Sequence, residues 1–438
     1  MRQFFGRVAG VAALKALGAV LLFLLNVVVS RLFPPDDAGL FFLSLSIVNI
    51  AVIVALLGFD GTLLRLVSGA LSMERTDEIS GASRRGTFVV VVWSLLIAAA
   101  LFLAARPLSE LVFHKQGLDK VLSLMALGIV PIALYTVYGE LLRATRRVLI
   151  SVVIQFILLP AMLLILIFSA GRSGGIDLVA GLYLLCAVVI AVIGFSLWRK
   201  AFTQKTLSAE PSLRKMFSIA LPIYWVSVAG MVLGWADTII LGMWVPSEGV
   251  ATYNAAARVA QMGAFILTSV NFVIAPQIAA VYAQGDMASL SKLVNRAWKL
   301  TVLSGFLIVS VIFIWPNLVL GLFGSGYLDA DAALRILLVG QLINAATGPV
   351  GIVLIMTKYE RILSYLVVGA AILDVVLNSV LVPIFSLNGA AVGTAVSLAA
   401  LNLTCLWVVK RKLGIAVYSA KYRHAELPMN SSILADKR

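Results

Sequence analysis

Arg31-Leu32-Phe33-Pro34-Pro35-Asp36-Asp37-Ala38-Gly39-Leu40-Phe41 and Met243-Trp244-Val245-Pro246-Ser247-Glu248-Gly249-Val250-Ala251-Thr252-Tyr253 are two copies of one turn, and their spacing decides the fold. In each, an apolar run stops at proline, passes an acidic residue and resumes through small residues. The copies lie about 212 residues apart, the self-similarity expected of a duplicated membrane half. Leu142-Arg143-Ala144-Thr145-Arg146 falls over Leu354-Ile355-Met356-Thr357-Lys358 at the same offset, and Ala180-Gly181 over Val392-Gly393. An even number of spans per half keeps both copies in one orientation. Parallel repeats of this kind flank the cleft in which a transporter holds its cargo, so function is expected at the interface of the halves.

The 438 residues are 61% hydrophobic and 12% charged, with a mean hydropathy of +1.05. A soluble chain could not bury that much apolar surface, so the bilayer must be its solvent. At roughly 20 apolar residues per crossing, the sequence predicts about twelve spans. They cover residues 11–33, 39–67, 87–105, 121–142, 149–170, 177–198, 217–245, 251–283, 297–323, 332–356, 362–385 and 389–409. The expected organisation is an N-terminal six-helix lobe over 1–198, a cytoplasmic linker over 199–216, a C-terminal six-helix lobe over 217–412 and a cytoplasmic tail over 413–438. The first apolar run is too long for a signal peptide and more spans follow it, so it reads as an uncleaved helix. Proline interrupts several spans, at Pro131, Pro160, Pro222, Pro276 and Pro349; membrane helices tolerate such breaks when neighbours satisfy the released backbone groups.

The net charge of +14 does not point to nucleic acid, because its distribution is that of a membrane protein. With the N-terminus inside, roughly 25 of the 34 Lys and Arg fall in inner loops and tails, and about five fall outside. Both termini are therefore expected in the cytoplasm. Cys186 and Cys405 lie within apolar helices and read as packing residues, and Trp198, Trp244, Trp298 and Trp407 lie near span ends as interface anchors. The two histidines, His114 and His424, sit in an outer loop and the tail, and there is no metal-ligand spacing, nucleophile elbow or phosphate loop. The chain does not read as an enzyme.

Charge inside the membrane is the informative signal, since each such group is costly and usually faces a cavity or a partner. The candidates are Lys15 on the first helix, Asp60 and Arg65 on the second, Asp237 on the seventh, Arg258 on the eighth, Arg335 on the tenth and Asp374 on the eleventh. For Lys15 and Arg65, snorkelling to the nearer interface competes with facing the cavity. Arg335 lies near an outer end and reads as a rim residue, while Asp60 can pair with Lys15 or Arg65. Asp237 and Arg258 are equally spaced about Pro246–Gly249, so on antiparallel helices they are expected at one depth. They form either a structural ion pair or a cavity site in which Asp237 modulates Arg258. Asp374 has no same-depth partner in the sequence, which makes it a proton-coupling candidate.

Leu221-Pro222, Asp237, Gly242, Tyr253, Ala256 and Arg258, followed by Asn271, Pro276-Gln277 and Gly285-Asp286, resemble the polysaccharide transporter family, the Wzx-type flippases of O-antigen units. The likeness continues through Leu354-Ile355-Met356-Thr357 and through Asn378, Pro383 and Gly389-Ala390-Ala391, and it takes in the outer turn at Arg31–Pro34 and Ala38–Leu40. It implies an all-α polytopic protein of the multidrug/oligosaccharidyl-lipid/polysaccharide exporter superfamily, with about twelve helices in two lobes forming a V. The implied activity is alternating-access transfer of an undecaprenyl-pyrophosphate-linked oligosaccharide to the outer leaflet of the bacterial inner membrane, for O-antigen, capsule or exopolysaccharide. Lys15, Arg65 and Arg258 are the positions that could hold its anionic headgroup. No cofactor is implied beyond coupling to H+ or Na+, with Asp60, Asp237 and Asp374 as candidates. The implied partners are the lipid-linked oligosaccharide, membrane lipids, a polysaccharide polymerase and a chain-length regulator, with no nucleic acid. A multidrug exporter on the same scaffold and a membrane-embedded polymerase or sugar transferase are the alternatives. The first usually has an acidic cavity, and the second needs a catalytic outer loop that this sequence lacks.

Overall fold

The computed structural model describes residues 2–73, 75–170, 174–202 and 211–419. Much of the 199–216 linker and of the 413–438 tail, His424 included, lies outside the described residues. Helices run in the order α1 (Arg2–Leu32), α2 (Pro35–Leu56), α3 (Phe59–Ser72), α4 (Thr76–Pro107), α5 (Leu118–Leu127), α6 (Ile129–Ala144), α7 (Val148–Val152), α8 (Leu158–Ala170) and α9 (Gly175–Ala201). They continue with α10 (Leu213–Trp244), α11 (Ser247–Gln261), α12 (Phe265–Ala283), α13 (Met287–Ile314), α14 (Pro316–Leu320), α15 (Asp331–Thr347), α16 (Val350–Met356) and α17 (Glu360–Leu413). The described residues contain no strand. Lipid offers backbone groups no hydrogen bonds, so apolar chain of this length satisfies them within helices.

Nine helices among the described residues are long and apolar enough to cross a membrane, and two bent pairs, Ser247–Ala264 with Leu267–Ala275 and Ser325–Thr347 with Val350–Met356, bring the number to eleven. If straight, the 54-residue α17 would span about 80 Å, more than twice a ~30 Å hydrocarbon core. It reverses at Ser386, whose φ of 52° and ψ of −127° are not helical, so it holds two crossings. The protein is thus a multi-pass, all-α membrane protein with about twelve spans. Side chains such as Leu103 (75% exposed) and Leu307 (64%) stand outward along their helices, as lipid-facing positions do.

Proline and glycine set the breaks. Pro131 cannot donate to the carbonyl of Leu127, and the chain divides into α5 and α6 at Gly128. The span expected over 39–67 is interrupted where Leu57 (φ 50°) and Gly58 (φ 75°) enter the left-handed region, separating α2 from α3. Packing explains the second break. A Cβ on Gly58 would lie 2.3 Å from the carbonyl oxygen of Ala220, so α10 passes against the bare backbone.

The chain divides into two compact units, one of residues 1–259, 315–337 and 371–394, the other of residues 260–314, 338–370 and 395–438. In the first, α2 and α3 pack along α10, with Leu43 against Gly242 and the rings of Phe59 and Phe217 edge to face at 5.3 Å. Trp198, near the end of α9, is buried there and stacked on Phe202. The second unit is built on Val270, Ile274 and Ile278 of α12, packed with Val294, Val353 and Val409. Asn295 ties it to the segment that follows α17 by donating to the Val417 carbonyl at 3.0 Å.

Candidate functional site

Asp237 lies on α10 about two turns before the helix ends and is buried in the first unit. Tyr253 donates its hydroxyl proton to Asp237 Oδ2 at 2.7 Å, and Thr394 donates to the same oxygen at 3.3 Å. Oδ1 accepts from the backbone N–H and the hydroxyl of Thr238, at 2.6 and 3.2 Å. Both carboxylate oxygens are therefore engaged by neutral donors. The expected direct pair with Arg258 does not form. The turn between α10 and α11 is only Val245–Pro246, because α11 already starts at Ser247. That register places Tyr253 opposite Asp237 and carries Arg258 five residues farther along α11, roughly 7 Å away.

Arg258 instead sets its guanidinium over the Trp235 ring, 4.7 Å from the centroid, while staying close enough to Asp237 to interact through charge. A cation on an aromatic face in a dry site is worth about 1–2 kcal/mol, which holds the guanidinium without neutralising it. Asp374 is buried on α17 and close enough to Tyr253 to interact electrostatically. One turn on, the Asn378 amide nitrogen donates to the Asp374 carbonyl at 2.9 Å. Asn378 Oδ1 is buried with no hydrogen bond among the described residues, facing Gly393 across the Ser386 reversal. Asp237, Tyr253, Asp374, Asn378 and Thr394 thus gather from three helices into a buried cluster of oxygen donors.

The remaining candidates disperse. Asp60 sits in the first turn of α3 and is engaged by the N–H groups of its own turn, so it is not the partner of Lys15 or Arg65. Arg65 is exposed on α3. Arg335 pairs with Asp331 at 3.0 Å, one helical turn away, which suits a rim residue. Lys15 lies over the ring of Phe156, 5.3 Å from the centroid, beside Glu140 and Arg143 of α6. Glu140, Gln155 and Thr394 carry no mark in the sequence as functional residues. Glu140 stands in an apolar helix and could have been singled out as intramembrane charge; Thr394 could not.

The duplicated turn meets its own copy. Glu248 donates its backbone N–H to Asp36 Oδ1 at 3.1 Å, a contact between positions 212 apart. A Cβ on Gly39 would collide with the Ser247 backbone, so only glycine lets α2 and α11 touch there. Two further contacts flank this one in a reciprocal way. At the end of the first span of one half, Arg31 donates to the carbonyls of Leu322 and Gly321 at 2.6 and 3.0 Å. Lys115, which follows the third span of that half, donates to the Val245 carbonyl at the end of α10.

A family model described as polysaccharide biosynthesis protein matches residues 8–282, and one described as MatE matches residues 222–380. An uncharacterized membrane protein of Methanocaldococcus jannaschii is 24% identical over 430 residues, covering 91% of this chain and 82% of its own length. A probable flippase of Haloferax volcanii is 23% identical over 383 residues, covering 82% of this chain and 74% of its own. Among solved structures, an inward-facing multidrug resistance MATE family transporter aligns with a TM-score of 0.74 at 16% identity, over 92% of this chain and 94% of that one. The lipid II flippase MurJ in an inward closed conformation aligns with a TM-score of 0.74 at 12% identity, over 91% and 87%. These structural likenesses show the fold that both share. With more than half of its residues matched by the first family model, the chain belongs to the polysaccharide biosynthesis protein family.

Proposed function

We propose that the protein is a flippase for a lipid-linked oligosaccharide, carrying the polyprenyl pyrophosphate unit from the cytoplasmic to the outer leaflet for surface polysaccharide assembly. Membership of the polysaccharide biosynthesis family is the observation that carries this reading, and the flippase names of the Haloferax volcanii and MurJ proteins support it. The physical requirement is plain. A charged sugar pyrophosphate cannot enter hydrocarbon without losing its water at a cost of many kcal/mol, so cationic side chains must replace that water while the polyprenyl tail stays in lipid. Lys15, Arg65 and Arg258 are the residues proposed for this, with Arg258 foremost because Trp235 holds it charged within the membrane. In its finer form the proposal is an undecaprenyl carrier in a bacterial inner membrane, feeding a polymerase and a chain-length regulator. Two six-helix lobes over 1–198 and 217–412 are the proposed moving parts.

Transport is proposed to be coupled to H+ or Na+ at the Asp237–Tyr253–Asp374–Asn378–Thr394 cluster. Its donors are all oxygen, two of them carboxylates, which fits a proton or a hard cation. The unsatisfied Asn378 Oδ1 fits the cation better. Asp60 is not part of this cluster.

The test is a deletion strain. It should lose surface polysaccharide and accumulate the lipid-linked unit facing the cytoplasm, inaccessible to an impermeant lectin on spheroplasts, and Arg258→Gln should reproduce the accumulation at normal protein levels. The MatE match over 222–380 favours one competitor, a multidrug exporter. Intact surface glycan with new sensitivity to cationic dyes would establish that competitor in place of the flippase.

A further inference from the structure

The end of α6 carries a polar cluster that the repeat does not duplicate. Lys15, Glu140, Arg143 and Gln155 correspond, at the offset of about 212, to Ser227, Ile352, Ile355 and Val367. The second copy folds the same helices without any of the three charges, so the scaffold does not require them. Within the first unit they converge. Glu140 is 9% exposed. Arg143 donates from Nη1 to both of its carboxylate oxygens, at 3.4 and 3.2 Å, and Gln155 donates to Oε1 at 3.1 Å. Lys15 lies on the Phe156 ring, within electrostatic reach of both Glu140 and Arg143.

The backbone is shaped for this convergence. A Cβ on Gly139 would sit 2.5 Å from Gln155 Nε2, so the missing side chain is the space the amide occupies. A Cβ on Gly18 would lie 2.8 Å from the Phe156 carbonyl oxygen, which shows how closely α1 approaches here. Residues Val153–Ile157 form a π-helical turn, because Pro160 cannot donate to the Phe156 carbonyl. Turns of this kind inside membrane helices re-aim side chains and recur at functional sites. Here the turn presents Gln155 and Phe156 together.

We propose that Lys15 and Arg143 form a phosphate-binding subsite for a polyprenyl pyrophosphate, and that Glu140 is the carboxylate a phosphate displaces. The proposal rests on the flippase reading above. Arg143 spends only Nη1 on Glu140. Its Nε and Nη2, the fork that fits a phosphate bidentately, have no hydrogen bond among the described residues, and the side chain is 53% exposed. Two cations facing one carboxylate leave a net positive site, and a multiply charged phosphate outcompetes a singly charged Glu140 for both. The displaced carboxylate keeps Gln155 as its donor. Without Glu140 the cationic pair would hold the phosphate too long for transport, so the carboxylate also sets release.

The experiment measures binding of polyprenyl pyrophosphate to the full-length protein in phosphatidylcholine nanodiscs. Lys15→Gln and Arg143→Gln should each weaken binding about tenfold or more. Glu140→Gln should tighten it and slow flipping, the opposite sign from a structural prop. Arg106→Gln, whose exposed partner is Glu110, should change nothing. If Glu140→Gln does not fold, Gln155→Met keeps every charge but removes the donor of the displaced carboxylate, so it should weaken binding, and unchanged binding overturns the displacement. Inorganic pyrophosphate and phosphatidylglycerol are the competitors: loss of signal to phosphatidylglycerol alone would make the subsite a general lipid contact and overturn the proposal. Wild-type affinity in Arg143→Gln, or weakened affinity in Glu140→Gln, overturns it too. A wild-type protein that binds cationic dye and no polyprenyl pyrophosphate would instead remove the flippase reading itself.

Discussion

Tyr253 gives Asp237 its shortest side-chain contact, and the pair shows how one hydroxyl can make a buried carboxylate tolerable. Hydrogen bonds of this kind between membrane helices are worth about 1–2 kcal/mol at most, so Tyr253→Phe should lower thermal stability modestly in detergent. Ion coupling predicts a further signature. Sodium should stabilise the wild type against heat, and Asp237→Asn should abolish that stabilisation while leaving the fold intact. Equal stabilisation of both would place the coupling ion elsewhere. A second residue-scale prediction concerns Asp286, just ahead of α13. The Ser289 hydroxyl and then its backbone N–H, which donates to Oδ1 at 2.9 Å, hold the Asp286 carboxyl below the usual carboxylate range. A depressed folded value stabilises the helix start above the unfolded value of about 3.9, and this support is lost as pH falls through the folded one. The protection of the 287–290 amides, measured against their intrinsic exchange rate at each pH, should fall on acidification. Asp286→Asn keeps the cap and should flatten that dependence; an unchanged pH profile would show that Asp286 does not control the helix start.

At the scale of elements, the contact between α2 and α11 is set by what Gly39 lacks. Its would-be Cβ falls on Ser247 backbone, which cannot rotate away as a side chain could. Gly39→Ala should therefore force the helices apart and destabilise by about 1–3 kcal/mol or more, read as a drop in melting temperature. Gly69→Ala, with open space around its Cβ, is the matched control and should be neutral or slightly stabilising. A Gly39→Ala protein as stable as wild type would mean that α2 and α11 slide past each other at little cost. The same turn carries the Asp36 contact to Glu248, flanked by Arg31 and Lys115 on opposite carbonyls, so three polar contacts hold this end of the first unit. Burial pushes the Lys115 ammonium below its usual value and Asp36 acts in the other direction, so the lysine and the aspartate support each other there.

For the whole molecule, orientation in the membrane follows from where the cations fall. Both termini and the 199–216 linker are proposed to be cytoplasmic, and the Pro34–Asp37 and Pro246–Gly249 turns to face out, because Lys and Arg are retained on the inner side. Cys186 and Cys405 are buried, so a cysteine-free background can be made with alanine at both positions. Single cysteines at position 205 and at the exposed position 248 then report sidedness to an impermeant thiol reagent in intact cells. Labelling is expected at 248 and absent at 205, and the reverse pattern would invert the topology.

By itself the sequence determined the solvent of this protein, the number of its crossings and its duplication. Hydropathy acts over roughly 20 residues at a time and needs no tertiary partner, so the spans were legible along the chain. The proline turns were legible for a like reason, since proline removes a donor wherever it stands. Tertiary structure alone decided which side chains meet. The repeat aligned Asp36 with Glu248, but not that the two would touch. Counting residues from Pro246–Gly249 set Arg258 against Asp237, and a turn two residues shorter gave that place to Tyr253. Thr394, Gln155 and Glu140 reach their partners through a reversal at Ser386, a π-turn before Pro160 and the gap left by Gly139. A shift of one or two residues in a helix turns a side chain by 100° or 200°, so register rather than composition chooses the partner of a buried charge.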